Sequence, residues 1–65
     1  MCQIKVVQEL DGREELVMVD ASLLEDDPAG VLISSLFDPP RLVAGLKVVR
    51  IDFLGSKVVL GKPVG

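Results

Sequence analysis

The sequence predicts an all-β domain, on three observations: short runs rich in β-branched residues, tight-turn pairs at Asp11-Gly12 and Gly55-Ser56, and prolines on both sides of a central apolar run. Five such runs, joined by short connections, predict a five-stranded antiparallel sheet. Curling that sheet into a small, partly open barrel reduces its exposed edges.

The first strand is Cys2-Gln3-Ile4-Lys5-Val6-Val7-Gln8-Glu9-Leu10 and the second covers 14 to 20, Glu-Glu-Leu-Val-Met-Val-Asp. Asp-Gly favours a two-residue hairpin loop between them. That register sets Val6 against Val17 and Ile4 against Val19, and it also opposes Glu9 to Glu14. Residues 21 to 26 read as a connector of about one helical turn, capped by Asp20 or Ser22 and too short for a helix of its own. Residues 29 to 37 read as the central strand, between Asp26-Asp27-Pro28 and Asp38-Pro39-Pro40. A second hairpin follows, 46 to 54 against 57 to 60, with Gly55-Ser56 as a type II′ loop that pairs Phe53 with Val58 and Ile51 with Leu60. Residues 1–60 thus form a single β-barrel domain of Sm-like type, and 61–65 a flexible C-terminal tail.

A chain of 65 residues is marginal as an isolated domain. One cysteine makes no internal disulfide, so self-association is the expected source of further stability. With 49% of residues hydrophobic and only two aromatic, the chain carries more aliphatic surface than one small core hides, and a homodimer is the expected state. Ten acidic against seven basic residues give a net charge of -3, which disfavours nucleic acid as a partner. No apolar stretch approaches the ~20 residues that span a bilayer. The reading is a cytoplasmic protein without a membrane segment, and a lone thiol suits a reducing compartment.

The chain has no histidine, which removes Ser-His and Cys-His nucleophiles and imidazole zinc sites. No phosphate-binding glycine loop or paired-carboxylate motif is present, so the chain is not expected to be an enzyme. Glu14-Glu15, Glu25-Asp26-Asp27 and Asp38 lack the spacing of a calcium loop and read as turn and strand-end residues. Cys2 differs through its position. Removal of Met1 leaves its amine and thiol to close a chelate ring; retention of Met1 leaves the amine, the deprotonated Cys2 amide and the thiolate to do so. Nitrogen and sulfur donors of this kind suit planar Ni(II) or Cu(II). One cysteine per chain supplies half of a four-coordinate set, and a twofold dimer supplies the rest. The residues alone leave a second reading open, in which Cys2 is an inert small hydrophobe beside Ile4 and Val6.

Met1-Cys2-Gln3-Ile4-Lys5-Val6-Val7, then Leu36-Phe37-Asp38, then Val49-Arg50-Ile51-Asp52-Phe53 resemble the CooT family over essentially the whole chain. The opening Met-Cys is the specific part. The resemblance implies a homodimeric nickel-binding accessory protein, a chaperone or store that serves maturation of carbon monoxide dehydrogenase. It carries Cys2 over as the Ni(II) ligand, with N-terminal or backbone nitrogen beside it and Gln3 as the neighbour whose amide contributes. On that reading two N-termini meet, which places the first strand at the dimer interface. Two rivals remain. One is a small RNA-binding barrel, with Lys5, Arg41, Lys47 and Arg50 as a local basic patch; the other is a metal-free dimeric scaffold. Phe37 and Phe53 read as core or interface residues rather than a base-stacking platform.

Overall fold

The computed structural model describes residues 4–62, an all-β domain of seven strands in two sheets. They are β1 (Lys5–Leu10), β2 (Arg13–Met18), β3 (Ala21–Asp27), β4 (Gly30–Ser35), β5 (Arg41–Ala44), β6 (Lys47–Asp52) and β7 (Lys57–Gly61). Sheet order is β2-β1-β7-β6 in one layer and β3-β4-β5 in the other. The described strands close no barrel, and the five-stranded antiparallel expectation is corrected in two further ways. β1 pairs with β7 in parallel, Val6 beside Val58. Residues 21–27 are a strand rather than a helical turn, and Arg41–Ala44 adds another.

The first turn forms as its residues dictate. Asp11 and Gly12 both take positive φ, 53° and 77°, the conformation a two-residue type I′ loop needs. Glu9 then faces Glu14 and Val7 faces Leu16, but a bulge between Val6 and Val7 puts Met18 rather than Val17 against Val6. The bulge turns Met18 inward to the core and leaves Val19 on the surface.

The second hairpin departs further. Asp52 pairs with Lys57 and Ile51 with Val58, so the loop is the four residues Phe53–Ser56. Its cause is local: the Gly55 N–H donates to Asp52 Oδ1 at 2.9 Å, and Ser56 adopts φ of 50°. Phe53 is therefore left largely exposed to solvent.

The inward faces of the two sheets meet in one core of Val6, Met18, Ala21, Val31, Ile33, Leu46, Val58 and Leu60. Ile33 and Leu60 are wholly buried. At roughly 2 kcal/mol for each fully buried aliphatic side chain, this layer is the main term holding the sheets together. On the outward face of the larger sheet Glu14 takes hydrogen bonds from Arg50 and Lys57 at 3.4 and 3.1 Å, and Arg50 also reaches Glu9 at 3.4 Å. Val59 lies on that same outward face and is fully buried.

Candidate functional site

Strand direction sorts the connections onto two ends of the sandwich. At one end lie the turns Asp11-Gly12, Pro28-Ala29 and Gly45-Leu46, and there β7 finishes at Gly61. At the other lie Val19-Asp20, the loop Leu36–Pro40, the loop Phe53–Ser56 and Ile4, where the described chain enters. Two backbone bonds fix that entry: Lys5 N–H donates to Ser56 O at 2.9 Å, and Ala21 N–H donates to Ile4 O at 3.0 Å. Ile4 is thereby held between the start of β3 and the Phe53–Ser56 loop.

Half-buried Ile4 separates two small cavities. The larger, about 150 Å³, is lined by Ile4, Ile51, Phe53 and Val58 with Asp52, Ser56 and Lys57 at its rim. The smaller, about 90 Å³, runs toward Ala21, Leu23 and Leu24. Both are well below the 300 Å³ or so at which pockets begin to hold small-molecule ligands. A wider open groove of about 580 Å³ runs between Leu16–Val19 and Asp38–Arg41, where Arg41 Nη1 donates to the Val17 carbonyl at 3.2 Å.

Cys2 and Gln3, the predicted metal ligands, lie outside the described residues. Among the described residues no three His, Cys, Asp or Glu side chains come together as a metal cluster. Three of the four cations considered as a basic patch are engaged with other groups. Arg50 is bound to Glu9 and Glu14, Arg41 to a carbonyl, and Lys47 reaches Asp26 at 2.7 Å at the opposite end from Ile4. Phe37 and Phe53 are not core residues of the chain: they are 82% and 86% exposed. The loop carrying Phe37 is shaped by Ser35, whose Oγ accepts from the backbone N–H groups of Phe37 and Asp38 at 3.2 and 2.9 Å. Sequence reasoning gave Phe37 and Phe53 as core or interface residues inside strands 29–37 and 46–54, whereas β4 ends at Ser35 and β6 at Asp52, which leaves both on loops.

What the described residues define is a small two-layer β-domain that presents surface rather than an enclosed cleft. The chain matches the family model for the CO dehydrogenase accessory protein CooT over residues 1–61, and it belongs to that family. CooT is an accessory protein family and not a catalytic enzyme. The fold agrees with a crystal structure assigned to CooT from Carboxydothermus hydrogenoformans, with a TM-score of 0.81 at 17% identity, covering 97% of this chain and 100% of that one. No curated protein matches the chain. No helix is long and apolar enough to cross a membrane among the described residues.

Proposed function

We propose that this protein is a nickel-binding accessory protein for maturation of carbon monoxide dehydrogenase, in which a homodimer holds one Ni(II) as cargo between two Cys2 thiolates. Nitrogen from the N-terminus or the backbone completes the set, with the Gln3 amide as a contributor, and the ion passes to the enzyme by ligand exchange in the cytoplasm.

The observation that carries this reading is the family match, whose span of 1–61 includes the Met1-Cys2 start. Two facts support it. The chain has no histidine, and the described residues gather no carboxylate cluster, so the N-terminal thiol and nitrogens are the donor set best suited to a soft-tolerant ion such as nickel. Ligand softness and planar geometry favour Ni(II) over magnesium or calcium, which take oxygen.

The test is a nickel titration of untagged protein, followed by thiolate-to-nickel absorption and by metal per chain. One ion per two chains, lost in Cys2→Ala, is the expected result. Unchanged affinity in Cys2→Ala overturns the assignment, and one ion per chain overturns the shared site.

A further inference from the structure

Asp11, Asp20 and Ser56 are the described residues other than glycine that take positive φ, at 53°, 54° and 50°. Asp11 serves the type I′ turn. Asp20 and Ser56 lie at the end of the sandwich where Ile4 enters, and each stands at one of the two backbone bonds that hold the entry. Ala21, the residue after Asp20, donates to Ile4 O at 3.0 Å, and Ser56 O accepts from Lys5 N–H at 2.9 Å. The left-handed region is unfavourable for a residue with a side chain and persists where the surrounding structure imposes it, as at ligand clamps and active sites. At Ser56 the imposing contact is visible. The Asp52 carboxylate accepts from Gly55 N–H at 2.9 Å and fixes the turn one residue before Ser56. The bond from Lys5 to Ser56 then opens the parallel ladder in which Lys5 lies beside Lys57. Ile4 is half-buried and packs against the core, so its side chain is held as well as its backbone.

We infer that these bonds form a clamp that positions the nickel donors, with Asp52 as a positioning residue that acts through Gly55 and Ser56; this rests on the nickel reading above. Only Gln3 stands between Ile4 and Cys2, and two steps of chain reach at most roughly 7 Å. Every residue whose backbone must be ordered to bring a donor to an ion weakens binding, and an arm anchored close to its donors has fewer residues to order. A clamp that already holds Ile4 and Lys5 in the free protein therefore raises nickel affinity without touching the ion. Loss of the Asp52 bond lets the Phe53–Ser56 loop take other turns. Ser56 O then no longer meets Lys5, and the entry has to be ordered again when nickel binds.

Nickel titration of the full untagged chain, followed by thiolate-to-nickel absorption, tests this in Asp52→Ala, Asp52→Asn, Lys47→Met and Cys2→Ala, each with its urea midpoint. Asp52→Ala is expected to bind nickel about tenfold more weakly, the factor for one further residue to be ordered. Asp52→Asn keeps an oxygen that accepts from Gly55 N–H and should bind like the wild type. Lys47→Met loses a comparable amount of stability at the opposite end of the sandwich and should also bind like the wild type. Wild-type affinity in Asp52→Ala overturns the inference. So does an equal loss in Lys47→Met, which makes the effect one of general stability, or a loss in Asp52→Ala that sedimentation equilibrium traces to separation of the copies. If Cys2→Ala loses nickel while Asp52→Ala binds like the wild type, the clamp is wrong and the metal reading stands. Wild-type affinity in Cys2→Ala overturns the metal reading itself, and the clamp with it.

Discussion

Asp52 and Gly55 are joined by a hydrogen bond of 2.9 Å from backbone N–H to carboxylate, and this contact sets how the second hairpin turns. It replaces a two-residue loop by a four-residue one and leaves Phe53 and Leu54 outside the sheet. Asp52→Ala is expected to cost about 1 kcal/mol, seen as a lower urea midpoint. Gly55→Ala should cost a comparable amount, because its Cβ would come 2.8 Å from Asp52 Oδ2 and push the carboxylate off the turn.

A second outcome concerns Gly30, where β4 starts. A Cβ there would overlap the Val43 carbonyl oxygen and lie 2.8 Å from Ala44 Cα, both backbone atoms of the neighbouring strand. Neither atom swings aside as a side-chain tip does. Gly30→Ala is therefore expected to lose about 3 kcal/mol or more, or to fail to fold, as read by chemical denaturation.

The ammonium of Lys47 donates to Asp26 Oδ1, Asp27 O and Gly30 O at 2.7, 2.7 and 3.3 Å and ties β6 to the β3–β4 turn. Asp26 is 83% exposed, so its share is small in water. The carbonyls carry the rest. Lys47→Met should lower stability by about 1 kcal/mol and Asp26→Ala by about half of that or less. Equal losses in the two variants would show that the ion pair dominates.

Nickel affinity is expected to fall as pH is lowered. Thiol and amine ligands bind only after losing their protons, so acid competes with the metal, by about tenfold per pH unit for each proton released. Titrations at several pH values give that slope directly. A flat profile through mildly acid pH would show that the ion is held by groups other than Cys2 and the terminal amine.

Much of this fold was legible where a residue had one local job. Asp11-Gly12 announced its two-residue hairpin loop, and prolines bracketed β4. Where two forces competed, the sequence was silent. β3 reads Ala-Ser-Leu-Leu-Glu-Asp-Asp, with poor strand formers at its end, and becomes a strand because β4 lies beside it. β5 is four residues long and is divided from β6 by Gly45, whose φ of +80° breaks the extended run. The parallel pairing of β1 with β7 joins the two ends of the chain, a long-range choice that periodicity does not encode. For the site, only the chemistry of Cys2 was visible; the apolar end around Ile4 depends on which loops the topology gathers.

Because β1 and β7 run the same way, the described chain comes in at one pole of the molecule and leaves at the other. An affinity handle, a dye or a surface linkage added beyond the last strand is attached at the end of the sandwich opposite Ile4, the residue through which the chain leads to Cys2. Carboxy-terminal attachment is thus the orientation in which this protein can be held while its nickel exchange is watched.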